Sequence, residues 1–328
     1  MSECSLKKYA YLYAGLDCAK NVSADASAIL LSGEDDEGLK VLSRIVAARM
    51  CGISDERAFD EHADIIVYPR PQEEKKSKTK SGGEKSKRYA ISVDDIKEIL
   101  DSLYLTPFEL KSKAYIIENA ESMSEICQNK LLKSLEEPPP RVCFVLCSSG
   151  KLLPTVESRC NRVELPPFDI SVVERELSKF HKAGGAAVKL AAQASRGNLG
   201  TAERILADAS FADTYAAAKK LLQLSTGSKM FAHAAAVYEK LSRDKVDALL
   251  GIVEYLLNDI ARYCIGVDTV FDGKDVAEIA GGYTPHSAAL AAEAVREAKK
   301  HNAANCMPQA VMDTLILKIM EVKAQCRK

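Results

Sequence analysis

Residues Lys113 to Cys160 read KAYIIENAESMSEICQNKLLKSLEEPPPRVCFVLCSSGKLLPTVESRC. AYII and VCFVL are short, apolar, β-branched-rich runs bounded by polar residues or prolines, the pattern of strands buried on both faces of a parallel sheet. Between them, Met123, Ile126, Leu131, Leu132 and Leu135 recur at helical spacing from Ser122 to Leu135, and Glu136, Glu137 and three prolines end the run. Strand, helix and strand make a right-handed crossover unit.

The ends of that unit carry chemistry. Glu118 and Asn119 follow the first strand, where a P-loop nucleoside triphosphatase places an Asp for Mg²⁺ and a Glu that positions water. Ser148 and Ser149 follow the second, and Arg159 sits on a loop beyond Pro154. Upstream, SAILLSG (Ser27–Gly33) reads as a strand and Leu42–Met50 as a helix, so GEDDEGLKV falls where a phosphate loop belongs. A working loop reads G-x-x-x-x-G-K-[ST], with amides and Lys around the phosphates. Gly33 and Gly38 keep the glycine spacing, but Leu39 takes the Lys position and Lys40 the hydroxyl position. Glu34, Asp35, Asp36 and Glu37 lie between the glycines and repel a triphosphate more than a helix N-terminus attracts it. ATP is therefore not expected to bind productively; a slipped Lys40 is the alternative route to a phosphate. A register with Lys8–Ala14 as first strand and Gly15–Lys20 as loop is the weaker option.

YIIENAESM, NKLLKSLEEPPP, FVL and LPTVESRC together resemble the bacterial DNA polymerase III clamp-loader subunits, an AAA+ family with SRC as a signature. The likeness is close over this half of the first domain and looser elsewhere. It implies an α/β AAA+ domain with a P-loop-like parallel sheet over residues 1–167, a small three-helix lid over 168–209, and an all-α collar for oligomerisation over 210–328. It also implies that Arg159 is an arginine finger, reaching across a subunit interface to the γ-phosphate held by a neighbouring ATPase. A guanidinium suits that role because it is planar, always charged and contacts two oxygens at once. Ser158 and Cys160 set the turn and its packing. Loss of both the loop Lys and the Asp-Glu pair resembles the delta-prime type, which does not itself hydrolyse ATP. The implied partners are the tau/gamma ATPase subunits and the delta subunit, and indirectly the sliding clamp and primed DNA. The other reading is an active AAA+ ATPase, tau/gamma-like or another remodeller.

Relatives carry a four-cysteine zinc module just after the first helix. Here only Cys51 stands there, with Cys4 and Cys18 on the wrong side of the loop, so zinc is not expected. His62 resembles the family's "HPD" histidine and reads as a turn residue. IxVDxI at Ile91–Ile96 matches a helix start capped by Ser92 or Asp94, with Ile96, Ile99, Leu100 and Leu103 inward. The family's second sensor Arg falls by register at Gly200, with Arg204 one turn on.

The 328 residues carry 45 basic and 46 acidic side chains, which argues against a globally basic nucleic-acid binder. Ten cysteines include no C-x-x-C pair and read as reduced thiols. RPQEEKKSKTKSGGEKSKR (70–88) has no apolar residue and reads as a disordered, solvated loop, with contact to DNA phosphate as the alternative. With no secretory signal and no apolar run of membrane-spanning length, a cytoplasmic protein is expected. Downstream of the two prolines at 166 and 167, helices are expected at 170–182, 186–194 and 201–209, then in an Ala- and Leu-rich bundle. Its inward faces hold Leu249, Ile252, Val253, Leu256, Leu257 and Ile260, and Val311, Leu315, Ile316 and Ile319. GGYTPHSA (281–288) reads as a loop and Asn305–Pro308 as the start of the last helix.

Overall fold

The computed structural model describes residues 6–22, 26–69, 91–181, 184–223 and 242–325, with the side chain of Asp244 excepted. The basic 70–88 segment and Cys4 lie outside the described residues. The chain divides into two compact units, Met1–Pro167 with Asn198–Gly200, and Phe168–Gly197 with Thr201–Lys328.

The first unit is a parallel α/β sheet in the order β2-β3-β4-β1-β5. Its strands are β1 (Ala28–Ser32), β2 (Ile65–Tyr68), β3 (Lys113–Ile117), β4 (Val142–Ser148) and β5 (Asn161–Glu164). β3 and β4 are buried along their whole length, as continuous apolar runs require in a covered parallel sheet. In register, Tyr115 pairs with Phe144 and their rings stack at 5.6 Å. β5 was not anticipated. Its NRVE is largely exposed and has no apolar alternation, because it forms the sheet edge and, among the described residues, pairs only with β1.

Helix α3 (Asp36–Cys51) follows β1 and ends at Gly52 in the left-handed conformation. It begins six residues before the expected Leu42, so Asp36 and Glu37 belong to its first turn and not to a loop. The N-terminal residues are helical rather than a strand: α1 (Ala10–Gly15) and α2 (Asp17–Lys20) bury Tyr13 and Ala19. Arg49 of α3 ties them down, donating to the carbonyls of Ala14 (3.1 Å) and Ala19 (2.5 Å). Helix α4 (Val93–Ser102) is capped by Ser92, in a capping box with Asp95. Helix α5 (Glu125–Glu136) turns Cys127, Gln128, Leu131 and Leu135 inward. Ile126 is exposed, against expectation, since it lies one residue off the stripe set by Cys127, Leu131 and Leu135.

Asp64 organises the chain before β3. Buried at the start of β2, its carboxylate accepts from the amides of Phe108 (2.7 Å), Glu109 (2.6 Å) and Leu110 (2.9 Å). Burial opposes its ionisation, but these amides together with Lys113 outweigh it and hold its pKa below the ordinary 3.8. A depressed carboxylate contributes stability that is present above pH 3.8 and lost as pH falls through the folded-state value. Asp64→Ala is expected to cost about 2–3 kcal/mol near neutral pH in urea unfolding. The gap from wild type should narrow below about pH 4; a pH-independent gap would assign the effect to packing alone.

The second unit is helical. Helix α7 (Ile170–Phe180) stops two residues short of the expected end, and α8 (Gly185–Ala194) packs against it. α9 (Leu199–Ala207) starts two residues early, after a turn with positive φ at Arg196 and Gly197. A side chain at Gly197 would run into the Phe168 carbonyl, so only glycine fits. The helices Phe211–Gln223, Arg243–Cys264, Gly273–Ala280, Pro285–Ala303 and Pro308–Gln325 enclose one apolar core. All ten residues expected on the two inward faces are buried in it. Half of the expected 281–288 loop is helix instead: Pro285 occupies the first position behind a capping box between Thr284 and Ser287. Among the described residues no helix is long and apolar enough to cross a membrane.

Candidate functional site

Because the strands are parallel, the carboxyl ends of β1, β3 and β4 open on the same edge of the sheet, where ligands bind in open α/β folds. A groove of about 170 Å³ lies there, lined by Leu39, Lys40, Glu118, Asn119, Ser148 and Ser149 together with Asp36 and Cys147. The fold thus brings together residues from three distant stretches of sequence.

The glycines of the loop serve internal packing. A Cβ at Gly33 would sit 3.1 Å from Leu165 Cβ, where the chain leaves β5. A Cβ at Gly38 would sit 2.8 Å from both Asp35 Oδ2 and the Tyr13 hydroxyl oxygen. Asp35 itself is buried and caps α3, accepting from the Gly38 amide at 3.1 Å. Its other oxygen accepts from the Gly200 amide (3.2 Å) and the Tyr13 hydroxyl (3.3 Å). A carboxylate therefore occupies the helix N-terminus, where an anion is electrostatically favoured. Leu39 is buried, and Lys40 pairs with Glu37 at 2.6 Å.

At the end of β3, Glu118 is buried and accepts from Arg44 Nη1 at 2.8 Å; the two side chains are 7% and 11% exposed. The same nitrogen donates to the Lys40 carbonyl at 2.9 Å. Asn119 follows in the left-handed region at φ 52, which Asn tolerates better than most residues. Ser148 and Ser149 donate to the two oxygens of Glu121, at 3.0 and 3.1 Å. Burial, then the charge of Glu118, pushes the Cys147 thiol up to about 12, so it is no nucleophile at neutral pH.

Arg159 lies outside this groove, at the surface. Short helix α6 (Pro154–Glu157) precedes it, positioned by buried Val156 and by Gln128, whose side-chain oxygen accepts from the Leu153 amide at 2.8 Å. The Arg159 side chain is 31% exposed; Nε donates to Glu136 at 3.0 Å and Nη1 to the Thr155 carbonyl at 3.0 Å. Ser158 donates to the same carbonyl at 3.2 Å, and Cys160 packs on the sheet core, where burial raises its thiol to about 11. Arg204 donates to Thr201, and His62 is buried with Nε2 3.3 Å from the Arg57 carbonyl. Among the described residues no three His, Cys, Asp or Glu side chains group as metal ligands.

Sequence reasoning missed Arg44, Tyr13, Gln128 and Glu136. Arg44 left one signal, a cation within the mostly apolar helical run LSRIVAARM.

Residues 17–169 match the model of the family described as DNA polymerase III, delta subunit. The DNA polymerase III subunit gamma of Buchnera aphidicola (subsp. Schizaphis graminum) is 36% identical over 95 residues, 28% of this chain and 26% of that protein. The subunit tau of Escherichia coli K12 is 33% identical over 114 residues, 33% of this chain and 18% of that protein. The chain thus spans about a quarter or less of the length of these two relatives. Among solved structures, a DNA polymerase III gamma subunit-related protein of Thermotoga maritima aligns over 97% of this chain and 99% of its own, at 19% identity and TM-score 0.45. The DNA clamp loader delta protein of Bacillus subtilis aligns over 90% and 95%, at 10% identity and TM-score 0.32.

Proposed function

We propose, from the match of residues 17–169 to the delta-type clamp-loader family of DNA polymerase III, that the chain is a clamp-loader subunit that does not hydrolyse ATP, of the delta-prime type. In this reading it works beside tau/gamma ATPase subunits and a delta subunit, in loading a sliding clamp onto primed DNA. Residues 168–209 are the lid, and 210–328 the collar through which subunits associate.

The observation that carries the proposal is a nucleotide site satisfied from within. Asp35 sits on the Gly38 amide, which would face phosphate, and Arg44 neutralises the carboxylate that would face a metal. An incoming triphosphate must displace one carboxylate and meet Glu34, Asp36 and Glu37, with no Lys at position 39 to offset them. What remains is a guanidinium at the surface, with Arg159 offered to a neighbouring chain's phosphate. Calorimetric titration of the full chain with ATP and Mg²⁺ is expected to show a Kd weaker than about 1 mM. Micromolar binding with turnover would assign the chain to the active ATPases instead.

A further inference from the structure

Two glycines far apart in sequence are narrowed by the same group. Gly38 and Gly200 both have backbone conformations open to other residues, since neither lies in the left-handed region. What excludes a side chain at each is space: a Cβ at Gly38 would press on Asp35 Oδ2, and one at Gly200 would overlap Asp35 Oδ1 and crowd Glu37 Cβ. Both amides point at that carboxylate, and Tyr13 adds a hydroxyl from the N-terminal helices. Capping α3 requires one of these three bonds. The other two are made to segments 22 and 165 residues away.

We infer that Asp35 is a built-in ligand, which holds Asn198–Gly200 and the N-terminal helix against the first turn of α3 by intramolecular bonds rather than through a bound anion. The segment Asn198–Gly200 lies with the first unit although its neighbours on both sides belong to the second. The Asp35 carboxylate, shared by two amides and a hydroxyl, gives that segment a polar connection beside the buried Leu199, and hydrogen bonds to an ionised group are about twice as strong as neutral ones. The inference is independent of Arg159: the lock could fail with the trans role intact, and the reverse.

Amide hydrogen exchange on the full chain tests it. In Asp35→Ser, the hydroxyl still caps Gly38 but does not span to Gly200. Exchange of the Gly200 amide is expected to rise about tenfold or more, with the Gly38 amide much less affected and the β3 and β4 amides unchanged. Unchanged protection of Gly200 would overturn the inference. Should Asp35→Ser not fold, Asp35→Asn decides the same point. Its amide keeps one accepting oxygen and loses the other, so protection at Gly38 or at Gly200 must fall, and retention of both overturns it. Gly200→Ala gives an independent reading. It should loosen residues 198–200 in the wild-type background and have a smaller further effect beside Asp35→Ser, where the crowding of Glu37 Cβ at 2.8 Å remains; equal effects in both backgrounds count against the lock.

Discussion

In a reconstituted assembly, the proposed trans role predicts that Arg159→Ala lowers ATP hydrolysis about 10³-fold or more at one site, with the melting temperature unchanged. The size follows from what a finger does: it neutralises charge that develops on the γ-phosphoryl oxygens in the transition state, in a site from which water is excluded. The unchanged stability follows from the present surroundings of the side chain. Its Nε pairs with Glu136, itself 58% exposed, and Nη1 with one backbone carbonyl. A surface pair of this kind is worth about 0–1 kcal/mol, so releasing the guanidinium to a phosphate costs little and deleting it costs the fold little. Arg159→Lys keeps the charge but loses the planar fork, and should restore only part of the rate. Glu136→Ala, which frees Nε, should leave hydrolysis intact. Full activity of Arg159→Ala at every site would remove the trans role and leave a surface arginine tied to Glu136 and the Thr155 carbonyl.

The second large effect concerns Arg44. Removing one partner of a buried ion pair strands the other, and Arg44→Met is expected to destabilise the first unit by about 3–5 kcal/mol. The comparison variant is Arg44→Met with Glu118→Gln, which removes both charges and should recover most of that loss, since two neutral groups of similar size replace the pair. Exchange of the β3 and β4 amides under urea reports the first unit separately from the helical one. If the double variant is no more stable than Arg44→Met, the pair is not what Arg44 contributes. The cost would then lie with its bond to the Lys40 carbonyl or with lost packing.

The central strands were legible because a strand covered on both faces must be apolar throughout, and AYII and VCFVL are. The same rule hid β5, an edge strand with no apolar residue required, and the helical N-terminus, whose aromatics fit either secondary structure over so short a run. Ile126 shows the limit of spacing alone: it is apolar and near the stripe, yet faces water because its neighbour Cys127 takes the inward position. At the candidate site, Leu39 and Asn119 were visible as residue types at counted positions after the second glycine and after β3. Which of four successive acidic residues would be buried was not visible. Asp35 is chosen only because the helix begins at the next residue and because Gly200 and Tyr13 are brought to it.

The sequence by itself determined the parallel sheet, the crossover helix and the residue types, Leu39 and Lys40, that follow the Gly33–Gly38 spacing, for these depend on local apolar patterning and on residue type at fixed spacing. Only the tertiary structure decided which groups Asp35 and Glu118 meet. Asp35 with Gly38, Gly200 and Tyr13, and Arg44 with Glu118, are contacts between segments up to 165 residues apart. Such contacts have no period and no motif; they exist because a buried charge must find a partner wherever the fold brings one within reach.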